Sequence, residues 1–157
     1  MTIKFGTEGW RAIIAEEFTA DNVRVVTQAI ADHLKATAAR SHARPLMVAV
    51  GYDGRFLSDY FARAVCEVLA GNGIRSVVST SLVPTCAVSR YVVAKRLPAG
   101  IMITASHNPA SYNGLKVKEA FGGSAGTETV ASIERRLGRS RVKRLPFDDA
   151  KIITQTD

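Results

Sequence analysis

Extended and helical signals alternate along this chain. That alternation predicts an α/β fold, a three-layer α/β/α sandwich on a mixed, mostly parallel sheet of about four main strands. Two observations carry the expectation. Apolar residues recur at helical spacing in several segments, as in Val23, Val26, Ile30 and Leu34. Between those segments lie short apolar runs, such as Leu46–Val50 (LMVAV) and Gly100–Thr104 (GIMIT), bounded by glycine or proline.

Each element has a local reason. Phe18 and Val23 bracket Thr19 as a hydrophobic staple around a threonine N-cap, which opens a helix over Ala20–Thr37. Leu46–Val50 reads as a buried strand ended by Gly51. Ser58 is the expected cap of a second helix that puts Phe61, Val65, Val68 and Leu69 on one side and stops at Gly71 and Gly73. Ile74–Ser79 is another short strand. Pro84 belongs in the first turn of a third helix reaching Lys95. Gly100–Thr104 is the next strand and Gly114–Lys118 a short exposed one, after which Thr127 caps a last helix with Val130, Ile133 and Leu137 inward, ending at Gly138. No internal repeat or low-complexity tract interrupts the pattern.

Composition narrows the class. A chain of 157 residues, 46% hydrophobic, is long enough to bury a core without disulfides or metals. No apolar stretch approaches the roughly 20 residues that span a bilayer. The opening MTIKFGTEGW has no charged region followed by an apolar run, so no secretory signal is expected. Cys66 and Cys86 both fall in apolar helical contexts and are expected to be reduced core residues of a cytoplasmic protein. The net charge of +7 is local: Arg135–Arg144 (RRLGRSRVKR) holds six basic residues and no acid, and the rest of the chain carries 15 basic against 14 acidic side chains. This segment could touch a phosphate backbone, which leaves a nucleic-acid binder as a further alternative, but it reads first as a solvated helix end and surface loop, with no nucleic-acid or membrane partner expected.

The chemistry-bearing residues gather in loops that follow strands, where open α/β sheets hold ligands. Two such loops are GYDGRFLS (Gly51–Ser58) and ASHNPASYN (Ala105–Asn113). Ser106 lacks the G-x-S-x-G surroundings of an acyl-transfer nucleophile, and adjacent residues such as Ser106 and His107 tend to point different ways. His33 and His42 have no acidic or cysteine partners at ligand spacing, so a zinc site is not expected. Phosphoryl transfer fits better, since it needs a hydroxyl, cations that neutralise phosphoryl oxygens and a proton shuttle. Ser106 offers the hydroxyl. Lys116 lies on the following strand, sharing a face with Lys118 while Leu115 and Val117 take the other. FGTEGWR (Phe5–Arg11) supplies a glycine-bracketed turn and then Arg11, whose fork of donors suits phosphate.

Taken together, FGTEGWR, GYDGR (Gly51–Arg55), TASHNP (Thr104–Pro109) and NGLK (Asn113–Lys116) resemble, in order and spacing, the α-D-phosphohexomutases. That family includes phosphoglucomutase, phosphomannomutase and phosphoglucosamine mutase. The resemblance runs from Phe5 to about Leu137 and matches the first of the family's four domains.

The resemblance implies an isomerase domain that helps interconvert hexose 1-phosphate and 6-phosphate through a bound hexose 1,6-bisphosphate. Ser106 resembles the serine that carries the phosphate, and its phosphate oxygen resembles the one ligand this domain gives to Mg2+. Lys116 is similar to the family's general acid or base, and His107 and Asn108 would line the same pocket. Arg11 and Thr7 would bind phosphate, with Asp53 and Arg55 bracing the neighbouring loop. The same likeness divides the chain into residues 1–140, the domain with the serine, and residues 141–157, a linker toward a second domain. The family's aspartate-rich metal loop, of the form DGDGDR, is absent, so the remaining magnesium ligands and the sugar-reading loops belong to the other three domains. Little mutase activity is expected of this chain alone. A non-catalytic binding or regulatory module that keeps the fold is the alternative. Trp10 resembles the bacterial phosphoglucomutase/phosphomannomutase version of its motif, which favours glucose or mannose phosphates as substrate.

Overall fold

The computed structural model describes residues 3–6, 9–39, 46–149 and 152–155. In chain order these contain β1 (Trp10–Ile13), α1 (Ala20–Ala38), β2 (Met47–Tyr52), α2 (Ser58–Gly71), β3 (Arg75–Ser79), α3 (Thr85–Ala94), β4 (Ala99–Ile103), β5 (Tyr112–Glu119), α4 (Thr127–Glu134) and β6 (Ile152–Gln155), with a 3-10 turn at Phe147–Asp149. The strands make one mixed sheet in the order β1-β5-β4-β2-β3-β6. β4, β2, β3 and β6 run parallel to one another, and β5 is antiparallel to both β4 and β1.

The sheet is larger than the sequence suggests, for two reasons. WRAI reads as part of a glycine-bracketed turn, yet it becomes β1 by pairing with β5, a partner about a hundred positions away. The stretch read as a linker, 141–157, contributes the turn at Phe147–Asp149, where Arg63 lies 5.1 Å over the Phe147 ring, and then β6 beside β3.

Strand alternation sorts two cores. Val48, Val50, Ile101, Ile103, Leu115 and Val117 face α1, α2 and α4 in the larger one, where Phe18 stacks on Trp10 and meets Phe61 edge-on. Ala49 and Met102 point the other way, toward Val88 and Val92 of α3. That helix lies close against the strands because Gly51 and Gly100 carry no side chain: a Cβ at Gly51 would sit 2.5 Å from a Val88 methyl.

Several local readings change. Thr19 does cap α1, accepting from the Asn22 amide at 3.3 Å. Ser58 does not cap α2. It is the helix's first residue, its hydroxyl donates to Asp53 Oδ1 at 3.2 Å, and Leu57 takes the cap position with a left-handed backbone. Thr127 likewise opens α4 with Gly126 at its cap, and Pro84 precedes α3 at the cap position. The strand read as short and exposed is the eight-residue β5, flanked on both sides, and it leaves Lys116 only 7% exposed. Only one cysteine is in the core: Cys66 is buried in α2, where burial pushes its thiol up to about 12, and Cys86 is exposed in the first turn of α3. Of the basic segment, Arg136 is tied to the Ser132 carbonyl at 2.8 Å, while Arg135, Arg139, Arg141 and Lys143 are exposed.

Candidate active site

The two loops singled out in the sequence meet because β2 and β4 are adjacent and parallel, so their carboxyl ends leave the sheet side by side. The join begins at the backbone, where the Asp53 amide donates to the Ile103 carbonyl at 3.1 Å. It continues in the side chains. The Thr104 hydroxyl donates to Asp53 Oδ2 at 2.6 Å, and the Ser106 amide donates to Thr104 Oγ1 at 3.0 Å. The Arg55 amide donates to Asp53 Oδ1 at 3.1 Å, which closes a small turn in the β2 loop.

Arg55 then clamps the opposite loop. Its Nη1 donates to the carbonyls of Pro109 and Tyr112, both at 2.9 Å, and its Nη2 to those of Ser106 and Asn108, both at 2.8 Å. Four carbonyls from one seven-residue loop, Ser106 to Tyr112, thus converge on one planar cation. Asp53 Oδ2 lies 3.4 Å from Arg55 Nε and supplies the countercharge. A lysine, with a single nitrogen, has no fork to span these positions.

The clamped loop presents Ser106 at a left-handed corner, φ 57°, with its side chain exposed. A non-glycine residue there is strained and persists where its surroundings over-determine it. The Thr104 bond on its amide and the Arg55 bond on its carbonyl do so. His107 beside it is exposed, and no contact brings it to the Ser106 hydroxyl among the described residues.

Arg11 arrives from the sheet. It pairs with Gly114 across β1 and β5, and residues paired this way share a face. Lys116, two positions along, is on that face too, opposite Met102. Gly114 makes room for this arrangement, since a Cβ there would lie 2.5 Å from the Thr104 carbonyl and 3.0 Å from Arg11 Cγ. From this position Arg11 Nη1 donates to Asn108 Oδ1 at 2.8 Å. Ser106, Asn108, Arg11, Asp53 and Arg55 therefore form one connected rim, with Lys116 on the adjoining strand face. Thr7 lies outside the described residues, as does His42.

Chemically, this rim offers an exposed serine, with Arg55 held on its carbonyl and Arg11 held on nearby Asn108. It does not by itself offer a metal centre. Among the described residues no group of three or more His, Cys, Asp or Glu side chains comes together. The carboxylate joined to this loop, Asp53, is already committed to Thr104, Ser58 and Arg55. A divalent cation held here would therefore need most of its ligands from outside the described residues.

Sequence reasoning passed over Thr104, Ser58 and Asn113 as functional groups. Thr104 and Asn113 stand inside the motifs TASHNP and NGLK, and the available signal was a polar residue at the end of a buried strand. Ser58 gave no such signal, because a serine at a helix start is ordinarily a cap.

Comparison with known proteins agrees with the fold. The family model described as "Phosphoglucomutase/phosphomannomutase, alpha/beta/alpha domain I" matches residues 2–143. A phosphoglucomutase of Staphylococcus saprophyticus is 36% identical over 124 residues, covering 77% of this chain and 22% of its own length. A phosphoglucosamine mutase of Thermobifida fusca is 33% identical over 157 residues, 100% of this chain and 34% of its own. A crystal structure from Thermus thermophilus, of a protein assigned as a phosphomannomutase, superposes with a TM-score of 0.88 at 36% identity over 99% of this chain and 33% of that one. The chain thus spans about a fifth to a third of the length of these relatives. It belongs to the phosphoglucomutase/phosphomannomutase family, whose α/β/α domain I it matches.

Proposed function

We propose that this chain is the phosphoserine domain of a cytoplasmic phosphohexomutase that interconverts hexose 1-phosphate and hexose 6-phosphate, with Ser106 as the residue that carries the phosphoryl group. The observation that supports this best is the exposed Ser106 hydroxyl at a left-handed corner whose two flanking peptide groups are both held. A side chain on a fixed backbone loses little freedom when it meets a substrate.

In the proposed reaction phosphoserine 106 donates its phosphoryl group to a hydroxyl of a bound hexose phosphate. The bond from phosphorus to Ser106 Oγ breaks and a bond to the sugar oxygen forms. The hydroxyl proton passes to a base, and Lys116 is the candidate on this chain. The hexose 1,6-bisphosphate so formed returns its other phosphoryl group to Ser106. Arg11, with Asn108 fixing its guanidinium, meets phosphate oxygens; Thr7 and His107 are assigned to the same pocket. Arg55 and Asp53 act through the loop they hold. Mg2+, which the family implies, would neutralise the transferring group. Of its ligands, the described residues would supply one oxygen, that of the phosphorylated Ser106. The hexose preferred is proposed to be glucose or mannose phosphate, on the strength of Trp10 and its motif. The other domains supply the remaining contacts, and residues 141–157 lead toward them.

The test is intact-mass analysis of the chain after exposure to glucose 1,6-bisphosphate. The expected result is one phosphate on the wild-type chain and none on Ser106→Ala, with little steady-state mutase turnover by either. An unmodified wild-type chain would favour the alternative, a binding module that keeps the fold without the chemistry.

A further inference from the structure

The polar chain that ends on the Ser106 amide does not begin at Asp53. Asn113 is fully buried on β5, and its Nδ2 donates to Ser58 Oγ at 2.9 Å and to the Phe56 carbonyl at 3.3 Å. Its Oδ1 accepts the Gly114 amide at 2.8 Å, which fixes which end of the amide faces Ser58. Ser58, also buried, donates its only hydroxyl proton to Asp53 Oδ1, and Thr104 donates its only one to Asp53 Oδ2.

The direction of each bond follows from donor count. An ionised carboxylate only accepts, so both hydroxyls must spend their protons on Asp53. Each is left with lone pairs alone for its other partner. Ser58 can then only accept from Asn113, and Thr104 can only accept from Ser106. Every bond in the row from Asn113 to the Ser106 amide is thereby oriented toward one carboxylate, with no member able to reverse. The two bonds to Asp53 are charge-assisted and the stronger kind, and hydrogen bonds joined in a chain polarise one another.

We infer that Asn113 and Ser58 are positioning residues for Ser106, acting through Asp53 and Thr104 to hold the corner that presents its hydroxyl. This rests on the reading of Ser106 as the phosphoryl carrier, but the placement itself can be tested separately. Among the described residues neither Ser58 nor Asn113 hydrogen-bonds Ser106, and they belong to different elements, α2 and β5. Their side chains reach the Ser106 amide through the carboxylate, beside backbone links in which the Ser58 amide donates to the Arg55 carbonyl at 3.1 Å and the Thr104 amide to the Gly114 carbonyl at 2.9 Å.

The experiment measures amide hydrogen exchange at Ser106 by NMR in the whole chain, for wild type, Ser58→Ala, Asn113→Ala and the double variant. Ser58→Ala removes one oxygen and keeps the helix, so it stays informative if Asn113→Ala fails to fold. The expected result is exchange at Ser106 faster by about tenfold in Ser58→Ala, with the amides of β2 and β3 unmoved. The double variant should be no faster than the single ones, because both break the same row. Unchanged exchange at Ser106 in Ser58→Ala, or additive effects in the double variant, overturns the inference. In parallel, the initial rate of Ser106 phosphorylation by glucose 1,6-bisphosphate should fall by a similar factor. Absence of phosphate on the wild type would sink the functional reading alone, and the exchange data would still decide the placement.

Discussion

Replacing Arg55 with alanine is the most searching perturbation of the site short of removing Ser106. The guanidinium makes four bonds to carbonyls of one loop, and its side chain is only 14% exposed. The bonds to Tyr112 and Asn108 are partly buried, and those to Pro109 and Ser106 are exposed. Water replaces the exposed pair at little cost, roughly 0.5 kcal/mol each. The partly buried pair and the Asp53 carboxylate, which loses its countercharge but keeps its other three donors, each cost about 1 kcal/mol, discounted because Asp53 is itself 27% exposed. The total is about 3–4 kcal/mol, which for a domain of this size corresponds to a fall in Tm of roughly 6–16 °C. Arg55→Lys keeps the charge but not the fork, and should recover about a third of that. Urea unfolding of the three proteins reads the difference. A loss below about 1 kcal/mol in Arg55→Ala, with the Ser106–Tyr112 loop no more susceptible to protease, would refute the clamp.

The remaining predictions concern packing, pH and thiols. Gly114→Ala should cost about 3 kcal/mol, because its Cβ meets the Thr104 carbonyl at 2.5 Å and the Trp10 carbonyl at 2.8 Å and must part β5 from its neighbours; a thermal shift equal to that of a surface alanine would contradict it. His33 packs against Ser132 at 2.9 Å, and burial first, then Arg136, lowers its affinity for a proton, with Glu119 opposing. The neutral ring is favoured in the folded state, so its contribution is present above the ordinary imidazole value of 6.5 and is lost as pH falls below it. The urea midpoint should drop on acidification through that range, and His33→Gln should flatten the drop. Iodoacetamide at neutral pH should label the native chain once, at exposed Cys86, and reach Cys66 only after unfolding, since burial pushes that thiol up to about 12. Two adducts on the native protein would contradict this placement.

How much of this was legible in the residues follows the range of the forces involved. Helices α1 and α2 were legible because their spacing and stop signals are local, and the strands β2, β3 and β4 because short apolar runs bounded by glycine admit few alternatives. Strand β1 was not, since four residues with an arginine in the middle are indistinguishable from a turn until β5 lies beside them. The burial of Lys116 was hidden for the same reason. The site divides in the same way. Ser106, Arg11 and Asn108 were readable from motifs, and the structure brings them together on one rim. Bracing by Asp53 and Arg55 was anticipated; its form, four carbonyls gathered on one side chain, depends on two loops meeting in space. Ser58 was misread because a local rule, the helix cap, competed with a partner five residues back and another fifty-five ahead.

If Ser106 carries the phosphoryl group as proposed, its left-handed corner sets stability and reactivity against each other at one codon. A serine in that conformation costs about 1 kcal/mol relative to glycine, which adopts it freely. Glycine there would relax the backbone and toughen the fold while deleting the hydroxyl. A library of this chain screened for heat tolerance alone should therefore enrich glycine at position 106, and one screened for acceptance of phosphate should hold serine despite the strain.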